Sequence, residues 1–239
     1  MIAPNCPTCD SQKCFINKFT DPFWKAKINK DRTTLKIGKA IPVFNEGDPV
    51  QGIFFIYRGK IKVYNSGIKN RTQILRLASS GEILGHRGMG TQHGYPIGAA
   101  PIENSTLCFI PTATFNRAIE NNSGLAIALM NFFAGELRRS ENKLRSLSQM
   151  TVRQKMAETF LTLAEIFGTT EIDNIPFLNV ELSRQEYADI TGTSIEEVIR
   201  TISQLNKENL VTIKGKRIGI TEKQKLADML VDFGPLRLP

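Results

Sequence analysis

Four cysteines stand where their spacing could do chemistry: Cys6-Pro-Thr-Cys9, Cys14, and Cys108 far along the chain. Three thiols crowded near the start are hard to account for as packing, and a distant fourth completes a four-thiolate donor set. Such a set suits an iron–sulfur cluster or a tetrahedral zinc ion. Free thiols are the alternative, because Cys-x-x-Cys also arises by chance. A disulfide framework is disfavoured in a reducing compartment. The two histidines, His86 and His93, fall in a glycine-rich stretch. They are expected to be loop surface or hydrogen-bonded, although with Arg87 they could line an effector or haem pocket.

Catalysis is not signalled. Cys108 beside a histidine would make a thiol nucleophile, but no paired base, phosphate-cradling loop or metal-hydrolase motif accompanies it. An enzyme is therefore not expected. The 239 residues include 31 Lys plus Arg against 23 Asp plus Glu, a formal net charge of +8. That excess favours an anionic partner, with nucleic acid first. The opening residues show no charged and apolar leader pattern, so no secretory leader is expected, and no apolar run is long enough to span a bilayer. A cytoplasmic protein without membrane contact is expected.

The elements that must position these residues change character along the chain. Residues 1–32 form a cysteine-containing segment that turns polar and basic. Residues 33–122 read as a β unit. Ile41-Pro-Val-Phe44 is β-like and leads into a turn at Asn45-Glu-Gly-Asp48. Strands are expected at Gly52–Tyr57, Lys60–Tyr64, Thr72–Leu77 and Thr106–Ile110, with glycine turns between them. This spacing predicts a β-sandwich, roll or barrel. The stretch Gly81–Gly98 reads as a long loop, and Cys108 falls on the closing strand.

Residues 123–150 carry a heptad pattern: Met130, Leu137 and Leu144 at one position, Phe133, Ser140 and Leu147 at the other. That is the seam of a long helix pairing with its copy in a homodimer. Ser140 weakens it. Residues 151–239 make a second unit, opening with a helix over Val152–Phe167 and a polar loop containing Pro176.

Within that unit, Ser183-Arg-Gln-Glu186 and Ser194-Ile-Glu-Glu197 are capping boxes, each opening a helix. Thr191-Gly-Thr193 supplies the bend between them. Two short helices joined this way make a helix-turn-helix. The second carries Glu196 and Arg200 one turn apart, suited to cytosine N4 and to guanine O6 and N7. Its capped start at Ser194 favours a phosphate. Lys207, and Lys214, Lys216 and Arg217 in an expected hairpin, would track the DNA backbone.

Taken together, the sequence resembles the CRP/FNR family of bacterial transcription regulators over nearly its whole length. The most specific stretches are Leu182–Arg200, Ile213-Lys-Gly-Lys216, Asn45-Glu-Gly-Asp48, Tyr57-Arg-Gly59 and Ser80-Gly-Glu-Ile-Leu-Gly85. The resemblance implies an α+β fold: a β-roll sensor of the cyclic-nucleotide-binding type, a long dimerisation helix and a C-terminal winged helix-turn-helix. Members that bind cyclic AMP use a Gly-Glu pair and an Arg-Ser pair, where this chain reads Gly85-His86 and Tyr95–Ala99. No cyclic nucleotide is therefore expected. The chain is more similar to the oxygen-sensing FNR branch, whose N-terminal cysteine cluster and strand cysteine match Cys6, Cys9, Cys14 and Cys108. The Cys9–Cys14 interval is one residue shorter than in the enteric proteins. That likeness implies a [4Fe–4S] cluster, oxygen or nitric oxide as signal, palindromic promoter sites with TTGA-type half-sites in double-stranded DNA, and RNA polymerase as a further partner. Ile195 then falls against a thymine methyl, and Ile199 faces the outer bases.

Overall fold

The computed structural model describes residues 4–9, 11–67, 71–90 and 93–233. They form two compact units, residues 1–137 and 138–239, each considered by itself. In the first unit, a single 3-10 turn at Cys6–Thr8 precedes α1 (Phe15–Phe19) and α2 (Pro22–Asp31). The strands follow: β1 (Thr33–Ile37), β2 (Gly52–Arg58), β3 (Ile61–Ser66), β4 (Thr72–Ala78), β5 (Ile83–Leu84), β6 (Gly98–Pro101) and β7 (Ser105–Pro111). Helix α3 (Thr112–Glu120) comes next, and α4 (Ser123–Gln149) begins in this unit and continues past its boundary at residue 137. The strands make two antiparallel sheets, ordered β1-β7-β2-β5 and β4-β3-β6.

The register of β2 and β7 decides what faces what. Successive strand side chains point to opposite faces. Phe54 and Ile56 enter one apolar cluster with Leu107 and Phe44, inside the roll. Ile53 and Phe55 enter the other, with Ile110, Phe115 and the helical residues Ile16, Trp24 and Ile28. Both faces of β2 are covered, which explains its continuous apolar run. Cys108 sits opposite Phe55 in the ladder and shares its face, so the strand parity aims it at α1 and α2.

Several elements depart from the sequence reading. Residues 22–31 are helical, because the Asp21 carboxylate accepts from the Trp24 N–H at 2.9 Å and Pro22 occupies the first turn. Ile41–Phe44 is not a strand. Pro42 offers no donor there, and only Phe44 bridges, to Ala99. The edge beside β7 is taken by β1 instead. The stretch Gly81–Gly98, whose residues 91 and 92 lie outside the described residues, holds β5 and a 3-10 turn at His86–Gly88.

In the second unit, α5 (Val152–Phe167) lays Met156, Ala157, Phe160 and Leu163 into the core. The expected polar loop around Pro176 is instead a hairpin of β8 (Thr169–Ile172) and β9 (Ile175–Leu178). Asp173 and Asn174 make it possible, with φ of 54° and 61°, a conformation these two residue types tolerate. Then come α6 (Arg184–Thr191), α7 (Ile195–Lys207), the hairpin β10 (Val211–Lys214) and β11 (Arg217–Ile220), and α8 (Lys223–Asp228). One sheet runs β10-β11-β9-β8.

Candidate metal centre and nucleic-acid interface

The cysteine segment is tied down by its neighbours. The Cys6 N–H donates to Asn29 Oδ1 at 2.9 Å, and Asn17 Nδ2 donates to the carbonyls of Cys9 at 3.0 Å and Ser11 at 3.3 Å. Lys13 passes so near Gly81 that a β-carbon there would stand 2.4 Å from its own. With φ of 96° as well, that position demands glycine. Cys6, Cys14 and Cys108 are partly buried against one apolar cluster, and Arg32 Nη1 donates to Cys108 Sγ at 3.1 Å.

Burial pushes the Cys6 thiol up to about 11, opposed by the Arg32 guanidinium. Burial raises Cys108 as well, again opposed by Arg32, and it raises Cys14. Each ionised thiol also raises its neighbours: Cys9, Cys14 and Cys108 act on Cys6, and Cys9 and Cys14 act on Cys108. The two ends of the donor set are thus in one neighbourhood. Among the described residues, no three His, Cys, Asp or Glu side chains converge as they would on an ion. In donor type and partial burial the thiols suit a thiolate-held group, with Cys6, Cys14 and Cys108 on one apolar cluster, although the sulfurs do not converge as they stand. Loading would draw the sulfurs together and take their protons.

Sequence reasoning missed a second cluster in this unit. Glu136, on α4, is buried. Its carboxylate accepts from Arg76 Nη1 at 3.4 Å and from Arg87 Nη2 at 3.0 Å. His86 Nε2 stands 3.5 Å away, too far for a good hydrogen bond. The expectation of a surface or satisfied histidine is wrong for His86. It is 2% exposed, both ring nitrogens lack a hydrogen bond, and its ring lies edge-on to Phe132 and Phe133. Burial holds its pKa below the usual value. His93 is exposed. Arg76 and Glu136 are separated by 60 positions and lie in no motif, so only the fold brings them together.

On α4 the expected seam residues lie along a largely open face. Met130, Leu137 and Leu144 are each more than 60% exposed, Phe133 and Ser140 are exposed, and Leu147 is half-buried. Ile127 adds to the same apolar surface at 55% exposure.

In the second unit the two capped helices form as the sequence predicts, with one difference. Ser183 accepts from the Glu186 N–H, and Glu186 returns the bond. Ser194 accepts from the Glu197 N–H at 3.2 Å, but the Glu197 carboxylate pairs with Arg200 instead. The second box is half made. Gly192 turns the chain between the helices in the left-handed conformation, at φ 63°. Helix α7 buries Val198, Thr201, Ile202 and Leu205, a stripe at helical spacing. That leaves Glu196, Ile199 and Arg200 exposed, with Ile195 half-buried at the first turn. Ser194 and Lys207 are exposed at its two ends. The Glu196 carboxylate is held below its ordinary range by its own backbone N–H and the Ser194 hydroxyl. Lys214, Lys216 and Arg217 cap the β10–β11 hairpin, all exposed. Lys214 lies 3.4 Å from Asp173 and Arg217 2.9 Å from Glu181.

A helix-turn-helix followed by a basic β-hairpin, in a chain that also carries a β-roll, defines a class of DNA-binding regulator. Residues 35–122 match the cyclic nucleotide-binding domain, and residues 154–229 match the Crp-like helix-turn-helix domain. The fumarate nitrate reduction regulatory protein of Klebsiella oxytoca is 24% identical over 91% of this chain and 89% of its own. The transcriptional activator protein anr of Pseudomonas aeruginosa is 26% identical over 84% and 80%. Among solved structures, FixK2 from Bradyrhizobium japonicum superposes with a TM-score of 0.73 at 20% identity, covering 83% of this chain and 96% of that one. The regulator CLP of Xanthomonas campestris gives 0.74 at 17% identity, covering 84% and 99%. The chain belongs to the CRP/FNR family of transcription regulators, which are DNA-binding proteins and not enzymes. No helix among the described residues is long and apolar enough to cross a membrane.

Proposed function

We propose that this regulator works as a homodimer, reads oxygen or nitric oxide through a [4Fe–4S] cluster held by Cys6, Cys9, Cys14 and Cys108, and binds palindromic TTGA-type half-sites. The observation that carries the reading is that Cys6 and Cys14 pack against the same apolar cluster as Cys108, on the helical face of β7. Relatives named for fumarate and nitrate reduction support it. A bound iron–sulfur cluster supplies a centre that oxidants attack.

The chain's own residues do the rest. The thiols tie a short arm to the strand from which α3 and α4 lead on. The open apolar face of α4, with Met130, Phe133, Leu137, Leu144 and Leu147, supports pairing with a second copy, and Ser140 weakens that seam enough for a small contact to bias it. Pairing would set two copies of α7 one DNA turn apart. There Arg200 would read guanine, Glu196 cytosine and Ile195 a thymine methyl. Ile199 would meet the outer bases, Ser194 and Lys207 would meet phosphates, and Lys214, Lys216 and Arg217 would follow the backbone. RNA polymerase is the expected downstream partner.

A second reading, a small-molecule effector in the β-roll with the cysteines free or zinc-bound, is favoured by the convergence of Arg76, His86 and Arg87. Glu136 pairs with both arginines and Glu82 lies 3.7 Å from Arg76, so that group's charge is already balanced and we place this reading second. Protein prepared without oxygen decides between them by its iron, acid-labile sulfide and zinc. About four irons and four sulfides per chain are expected; a colourless, iron-free protein would sink the cluster reading.

A further inference from the structure

We propose that Arg32 is a positioning residue that docks the cysteine segment onto the β-roll before any metal arrives. This deepens the four-cysteine reading and rests on it for the ligand, while the docking itself needs no ligand. Arg32 caps the end of α2, its own N–H donating to the Ile28 carbonyl at 2.9 Å, and β1 begins at the next residue. Its backbone is thus fixed on both sides. The guanidinium then reaches four separate segments. Nε donates to Asn29 Oδ1 at 3.2 Å on α2, and Nη1 to Thr34 Oγ1 at 3.1 Å on β1. Nη1 also reaches Cys108 Sγ at 3.1 Å on β7, and Nη2 donates to the Pro4 carbonyl at 2.5 Å in the N-terminal arm. Asn29 Oδ1 in turn receives the Cys6 N–H, so the same pair of side chains holds the arm on both sides of residue 5.

Only a planar fork with several fixed donors can span these acceptors together; a lysine ammonium offers one point. The consequence is a division of labour. Arg32 and Asn29 fix the Cys6 end, whereas Asn17 independently holds the carbonyls of Cys9 and Ser11. Removing Arg32 should therefore free the arm selectively, leaving α1 and the strands in place.

The test uses the full chain, reduced and metal-free, followed by amide hydrogen exchange. In R32A, the amides of Cys6, Thr8 and Cys9, each hydrogen-bonded in the docked arm, should exchange about tenfold faster or more, the loss expected for one or two charged hydrogen bonds. Those of β2, β3 and α1 should keep wild-type rates. R32K keeps the charge and stem but not the fork, and should loosen the arm as well; it also serves if R32A fails to fold. Zn(II) titration of the same samples should give weaker uptake in both variants. Unchanged exchange in R32A would overturn the proposal. So would loosening spread evenly over β2 and β3 in both variants, or a wild-type arm that already exchanges at the free-chain rate. Iron and sulfide content of the wild type is read separately: if it takes up neither, the cluster reading fails while the exchange result still decides the docking.

Discussion

Glu136 is the one acid on α4 whose removal the structure makes costly. Its side chain is 6% exposed, and that of Arg76 is 9% exposed. Removing one member of such a buried pair costs about 3–5 kcal/mol, because the remaining charge stays desolvated. Three features place Glu136→Ala within that range. Arg76 keeps the Ile83 carbonyl at 2.7 Å and a distant Glu82 oxygen at 3.7 Å, which returns part of the loss. Arg87 is more exposed and would be screened by water. Against this, Arg76 Nε already lacks a hydrogen bond, so the guanidinium is short of acceptors before Glu136 is removed. The lower end, about 3 kcal/mol, is expected for Glu136→Ala, and roughly 2 kcal/mol for Glu136→Gln, whose amide oxygen can still accept one bond. The chain has one tryptophan, Trp24, buried in the same unit, so its fluorescence in urea reports this unit's unfolding. A double variant, Arg76→Met with Glu136→Leu, replaces charges by apolar groups and should recover most of the loss. A loss below about 1 kcal/mol in Glu136→Ala, or strict additivity in the double variant, would refute the buried pair as an energetic unit.

Three further outcomes concern His86, Arg200 and Lys216. His86 is held below its usual pKa by burial, with Arg76 and Arg87 acting in the same direction and Glu136 against them. Above about pH 6.5 neither folded nor unfolded chain protonates it; as pH falls below that value the unfolded chain gains a proton first, so stability declines, at most by about 1.4 kcal/mol per pH unit. Subtracting the urea stability of His86→Phe from wild type between pH 5 and 7 should isolate that slope, and a flat difference would contradict it. Arg200→Ala should cost roughly 1–3 kcal/mol on the specific site and relax one base position, as measured by binding to a set of single-base variants. Lys216→Ala should weaken all sequences alike and reduce the salt slope by about 1, read from a salt titration of DNA affinity.

What could be read in advance was local. Ser183 with Glu186, Gly192, and the stripe Val198–Leu205 lie within a few positions of one another, so helix start, turn and buried face were legible without the fold. Strand β7 was legible too, and its alternation already puts Cys108 on the face opposite Leu107 and Phe109. The hairpin at Asp173 and Asn174 was not, because Pro176 looks like a strand breaker until β9 is seen to keep its pairing with β8 around it. Helix α2 carried its own signal in Asp21 and Pro22, but the lysines along it read as a solvated segment.

Two long-range contacts were legible nowhere. Arg32 gains meaning only when α2 ends against β7, which sets its guanidinium beside a cysteine 76 positions away. Glu136 gains its meaning only when α4 returns over the roll to meet Arg76 and Arg87. On the linear chain, Arg32 is one more basic residue in a basic segment, and Glu136 one more charge flanking a heptad seam. Sequence periodicity reports which face of an element is buried, not which charge on another element waits there. In this chain both of these contacts lie in the first unit, one beside Cys108 and one on α4 between Phe133 and Leu137 of its open apolar face. If the thiols do carry the signal, Arg32 and Glu136 are where its passage toward that face should be most sensitive to single substitutions. Helix α7 packs on α5, α6 and β10 of the second unit and should keep its structure through all of them.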